Sequence, residues 1–217
     1  DRKNHYQKTK VTFVVDNCKN INKEAPKSKS DGKWHDPIDN PMLCLYSQGG
    51  GEKPWHGNFG DKIRDGVSPH TGVDLFAMTG SNVYACVDGV VVRSETNPSM
   101  FGNMIVIKVD DNDFFKKRRK KDFKLLYENK GEILTGKGFD FEGPFYLVYA
   151  HLKERKKKIN DIVKAGDIIG LTGTSGENGV SFKTRNPHLH FEIMNLEKQK
   201  GTSNKCSPGI YIDYLDE

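Results

Sequence analysis

From Met42 onward this sequence keeps one rhythm: short runs rich in Val, Ile, Tyr and Phe, separated by Gly, Pro, Asn and Asp. The runs are Leu43 to Tyr46, Val73 to Phe76, Asn82 to Ala85, Gly89 to Val92, Met104 to Val109, Phe145 to Tyr149, Ile168 to Leu171 and Leu189 to Met194. Runs this short and this β-branched read as strands, and their spacing predicts an antiparallel all-β sandwich or barrel. No segment carries sustained helical periodicity; Ile159 to Lys164 reads as a single helical turn or a loop. The 22 glycines of the 217 residues follow no repeat, which suits many turns and excludes a collagen-like chain. No stretch reaches the ~18 apolar residues of a membrane helix, so no transmembrane segment is expected.

The rhythm divides the chain. Residues 1–41 hold one strand-like run, Val11 to Val15, and then a stretch rich in Lys, Asn, Ser and Pro. They read as a polar N-terminal tail or linker from a preceding module, as expected if the chain is part of a larger multidomain protein. No charged-then-apolar leader opens the sequence, so a secretory signal is expected to lie outside it. Residues 42–217 form the domain, interrupted at about 110–143 by an insertion expected at the surface. The net charge of +5 is concentrated in two basic runs, Lys116 to Lys121 and Lys153 to Lys158. Each reads as a solvated loop or as a patch attracting an acidic polymer. Cys18, Cys44, Cys86 and Cys206 contain no C-x-x-C pair, which argues against a zinc ribbon and leaves two disulfides or free thiols open. Cys86, inside a strand-like run, reads as a buried thiol.

Histidine carries the chemistry. In Pro69-His70-Thr71-Gly72-Val73-Asp74, positions i and i+4 share a face if the chain is extended, so His70 and Asp74 can address one centre. In Pro187-His188-Leu189-His190-Phe191 the alternation puts both imidazoles on one face and both apolar side chains on the other. His151 ends another apolar run. A catalytic zinc takes three nitrogen or oxygen ligands and keeps a fourth position for water. Two histidines and one aspartate from these segments meet that count, with one imidazole of the H-x-H pair ligating and its neighbour beside the water. His5, His35 and His56 have no such spacing and read as ordinary polar residues.

These residues together resemble the lysostaphin-type zinc endopeptidases of the M23 family. Its H-x-x-x-D is similar to His70 to Asp74, its strand histidine to Tyr149-Ala150-His151-Leu152, and its H-x-H to His188 to His190. Asn58-Phe59-Gly60 to Arg64, Val83 to Ala85, Asp88 to Val91, Gly102-Asn103 and Lys164 to Leu171 extend the likeness over roughly residues 42–196. It implies a barrel-sandwich-like peptidase core with an open groove, and His70, Asp74 and His190 as ligands of one Zn2+ per chain. His151 and His188 become the catalytic imidazoles. The implied reaction is hydrolysis of peptide bonds in bacterial peptidoglycan stems or cross-links, by a monomer without a nucleic-acid partner. The implied location is periplasmic, cell-envelope or secreted. A latent or non-catalytic binding module on the same fold is the alternative, with Asn58 able to fill the fourth metal position. Some members place a tyrosine ahead of the first histidine; Trp55 to His70 holds none, which leaves Arg64 or a residue from elsewhere as the substitute donor. Trp55 reads as loop packing or as a platform for a glycan ring.

Overall fold

Strand β9 (Tyr146–Arg155) is the hinge of the architecture. Its first half pairs with β12 (His188–Met194) and its second half with β11 (Ile168–Thr172). Along its other edge runs β8 (Gly102–Val109), followed outward by β7 (Gly89–Asn97) and β10 (Ile162–Val163). Strand β11 leads on to β6 (Asn82–Tyr84), while β12 carries β5 (Val73–Phe76) and β13 (Lys205–Cys206). Ahead of this sheet lie two small hairpins, β1 (Tyr46–Gln48) with β2 (Gly51–Lys53), and β3 (Gly60–Arg64) with β4 (Ser68–His70). Every strand pair among the described residues is antiparallel. This is the computed structural model of the chain, and it describes residues 34–48, 51–97, 101–176 and 187–215. Val11 to Val15 and Cys18 lie outside them.

The eight runs read from the sequence all contribute to this fold, Leu43 through an isolated bridge to Leu75 just ahead of β1. Alternation explains the layering. Val73, Leu75, Ile105, Ile107, Leu147, Tyr149, Leu189, Phe191 and Ile193 point into one core, while Met104, Val106, Val148, Ala150 and Met194 form a smaller cluster on the opposite face. The polar residues of β5 and β12 share that second face. Burying a Leu, Ile or Phe side chain contributes about 1.5–3 kcal/mol, so the core face holds register strongly and the opposite face is released for chemistry.

Two expectations change. Residues 34–41 do not belong to a polar tail: Trp34 and Ile38 are buried in the main core. The His35 amide donates to the Cys86 carbonyl at 2.9 Å. Two apolar anchors in a polar context carry no periodic signal. The interruption after β8 is also more ordered than its composition suggests. It contains helix α1 (Asn112–Arg118), capped by Asp111, whose carboxylate accepts from the Phe114 amide at 2.8 Å. About two turns of helix are too short to show a sustained 3.6-residue period. Its buried Phe115 stacks on Tyr211 at 4.2 Å and meets Phe145 at 4.7 Å.

That packing changes the meaning of the first basic run. Lys116 pairs with Asp113 at 2.8 Å and Glu142 at 2.9 Å, and Arg118 and Lys120 both reach Asp213. Arg119 lies 4.1 Å from the centre of the Phe141 ring. Four of the six cations thus tie the insertion to itself and to the C-terminal segment. Cys44, Cys86 and Cys206 are buried free thiols, as expected for Cys86.

Candidate active site

His70 ends β4, and Thr71-Gly72 break the extended chain before Asp74 on β5. The spacing puts the two side chains on one face if the chain is extended; they meet instead across a bend between the two strands. The bend needs Gly72, because a Cβ there would lie 2.2 Å from the Phe191 carbonyl oxygen of β12. Close approach of the two backbones sets Asp74 directly opposite His190 in the β5–β12 register, with Ala150 of β9 on the other side. Both H-x-H imidazoles lie on one strand face, as the alternation predicted.

His151 reaches the site by another device. Simple alternation from Tyr149 would send it into the main core. Between β8 and β9, however, Ile105 faces Tyr149 while Asn103 faces Leu152, so β9 carries one residue more than its partner. His151 has a left-handed φ of 61° there. The bulge returns Leu152 to the core and turns His151 out beside His188, with ring centroids 5.0 Å apart. A left-handed, β-bulged histidine is locally costly, and such strain concentrates at functional sites.

Three atoms able to ligate a metal converge. His70 Nε2 lies 3.0 Å from Asp74 Oδ1 and 3.2 Å from His190 Nδ1, and His190 Nδ1 lies 2.8 Å from Asp74 Oδ1. All three residues are buried. Their outer atoms decide what this means. His70 Nδ1 is 2.8 Å from the Asn58 carbonyl, and His190 Nε2 is 3.0 Å from Glu192 Oε1. Both partners only accept, so those nitrogens carry the protons. The inner nitrogens then direct lone pairs at a carboxylate oxygen, and a cation among them satisfies all three. A tetrahedral zinc with bonds of about 2.0–2.1 Å has ligand–ligand edges of roughly 3.3–3.4 Å, close to the spacings here. The donor set fits that ion.

A polar shell surrounds these atoms. Asp74 Oδ2 accepts from the Tyr46 hydroxyl at 2.6 Å and from Arg64 at 2.8 Å. Glu192 Oε2 accepts from Lys205 Nζ at 2.8 Å. His151 Nδ1 donates to the Ser175 carbonyl at 2.8 Å, and His188 Nε2 stands 3.6 Å from Asp74 Oδ1. Phe101 stacks on His190 at 5.6 Å. Burial lowers the His70 imidazole to about 4 against the upward pull of Asp74. Burial, then the neighbouring His188 and His190, lowers His151 to about 3. Burial would raise the Asp74 carboxyl, but the surrounding imidazoles outweigh it and hold the group well below the usual range. Burial would likewise raise Glu192; Lys205 and His190 bring it down to about 2.

All five site residues expected from the sequence therefore meet at one place. Arg64 is present too, but it holds Asp74. Asn58 offers its main-chain carbonyl to His70. Trp55 packs beside Tyr127, with Lys130 Nζ 5.0 Å from its ring. Tyr46, Glu192 and Lys205 were missed. Glu192 was legible, two residues beyond His190 on the same strand face; Tyr46 and Lys205 come from distant segments without a local mark.

Residues 68–117 and 131–204 match the sequence profile of peptidase family M23. The peptidoglycan DD-endopeptidase ShyA of Vibrio cholerae is 25% identical over 171 residues, 76% of this chain and 30% of that protein. The glycyl-glycine endopeptidase ALE-1 of Staphylococcus capitis is 26% identical over 186 residues, 86% of this chain and 37% of that one. The chain thus spans well under half the length of these curated relatives. Among solved structures, the catalytic domain of the antimicrobial peptidase lysostaphin from Staphylococcus simulans aligns with a TM-score of 0.45 and 27% identity. That alignment covers 70% of this chain and 84% of that one.

Proposed function

Since the chain belongs to peptidase family M23, we propose that it is a zinc-dependent endopeptidase that hydrolyses peptide bonds in bacterial peptidoglycan stems or cross-links. The observation that carries this reading is the trio His70 Nε2, Asp74 Oδ1 and His190 Nδ1, mutually 2.8–3.2 Å apart, with both outer imidazole nitrogens committed to acceptors. His70, Asp74 and His190 would hold one Zn2+ per chain. When bound, zinc supplies a Lewis acid and brings the pKa of its water to about 7. The peptidoglycan substrate is supported by the names of the two curated relatives.

The remaining roles fall to the chain's own atoms. Tyr46 and Arg64 occupy Asp74 Oδ2, which keeps Oδ1 turned toward the two imidazoles. The Ser175 carbonyl fixes the His151 proton on Nδ1. His151 Nε2 is then the atom that takes a proton from the attacking water and returns it to the departing amine. His188, beside His151 and near Asp74, donates to the developing oxyanion. The protein acts as a monomer, in the periplasm, at the cell envelope or after secretion. No helix among the described residues is long and apolar enough to cross a membrane.

Purified peptidoglycan incubated with the protein should release new amino groups, and a chelator should abolish the release until zinc is restored. Equal release with and without chelator would overturn the metal-dependent mechanism. No release at any zinc concentration would favour the latent module.

A further inference from the structure

Lys205 is a charged residue where charge is costly. It is fully buried, on the short strand β13, and its ammonium meets Glu192 Oε2 at 2.8 Å while Glu192 Oε1 meets His190 Nε2 at 3.0 Å. A buried lysine and a buried carboxylate each lose several kcal/mol of hydration, and a pair is retained only where geometry returns it. Replacing both by apolar residues is often neutral for stability, so the pair calls for a role beyond holding the fold.

The mounting of Lys205 points to that role. Residues 132–136 run as a strap between two groups that orient the imidazoles. At one end Glu132 bridges to Gly60, and the Ile133 amide donates to the Phe59 carbonyl at 3.3 Å, next to the Asn58 carbonyl that holds His70 Nδ1. At the other end Thr135 bridges to Cys206, and the Gly136 amide donates to the Lys205 carbonyl at 2.8 Å.

We propose that Lys205, held in place by the 132–136 strap, is a positioning residue for the metal site: it locks the Glu192 carboxylate, which fixes the tautomer and ring plane of His190. The proposal rests on the reading of His190 as a zinc ligand. Partners one step beyond the ligands typically change metal affinity by roughly 10–100-fold.

The test compares wild type, Lys205→Met, Lys205→Arg, Glu192→Gln and the Lys205→Met/Glu192→Gln double variant. Zinc affinity is measured by competition with a chromophoric chelator, and the His190 ring by 15N NMR of the metal-free protein. Lys205→Met should weaken zinc binding by roughly 10–100-fold and lose the hydrogen-bonded Nε2–H signal of His190. Lys205→Arg should recover part of both. The double variant should be no worse than the worse single one, because both act through one carboxylate. Wild-type affinity in folded Lys205→Met, or losses that multiply in the double variant, would overturn the proposal. If wild type itself retains no zinc, the functional reading fails, and the NMR signal still decides: persistence of the His190 Nε2–H in Lys205→Met overturns the positioning role, and its loss supports it. Should Lys205→Met not fold, Lys205→Arg and Glu192→Gln carry the same readouts, and unchanged affinity and His190 signal in both would overturn it.

Discussion

Tyr46 gives Asp74 a 2.6 Å hydrogen bond from a hydroxyl largely withdrawn from water. A hydrogen bond to a charged group contributes about 1.5–3 kcal/mol. Tyr46→Phe should therefore destabilise the metal-free protein by about that amount in urea unfolding and weaken zinc binding; an unchanged midpoint would mean that Arg64 alone satisfies Oδ2. The histidines set the pH response. His70 and His151 titrate at about 4 and about 3 in the fold, below the ordinary 6.5. Between those values the unfolded chain binds more protons than the folded one, so stability is full above pH 6.5 and falls as pH drops toward 4. His190 is shifted upward: burial disfavours its charge, but hydrogen bonds to Asp74 and Glu192 prevail, so its contribution runs against this trend. Urea midpoints of the chelated protein should fall from pH 7 to 4.5, and His151→Gln should flatten the slope; a flat wild-type profile would exclude buried neutral imidazoles.

Among the elements, helix α1 and the strap make the insertion part of the framework. Phe115 is buried against Trp34, Phe145 and Tyr211, so Phe115→Ala should cost about 3–5 kcal/mol. A loss below 1 kcal/mol in denaturant unfolding would show instead that the helix is peripheral. Gly136 tests the strap: a Cβ there would fall 1.9 Å from the Thr202 carbonyl oxygen, so backbone must shift. Gly136→Ala should lower both the melting temperature and zinc affinity although it contacts no ligand. Loss of stability with zinc affinity intact would disconnect the strap from the site.

For the whole molecule, the proposed ligands come from β4, β5 and β12, so zinc bound there should stabilise the fold and not merely decorate it. Free zinc at 100 times its Kd should add about 2.7 kcal/mol to unfolding, visible as a chelator-reversible rise in melting temperature that His190→Ala abolishes; a zinc-independent melting temperature would mean that the site is not formed before unfolding. Much of this molecule was legible in its residues alone. The β-rich fold, the shared face of His188 and His190, and the pairing of His70 with Asp74 follow from side-chain alternation and local spacing, which are properties of neighbouring residues; His151, which alternation alone would send into the core, was marked only by its place at a strand end and by the family resemblance. The bulge that turns His151 outward, the bend that brings His70 back to Asp74, and the reach of Tyr46 and Lys205 into the site were decided only by tertiary structure. Each depends on which strands become neighbours and how closely their backbones approach, and pairing between distant segments leaves no periodic trace along the chain.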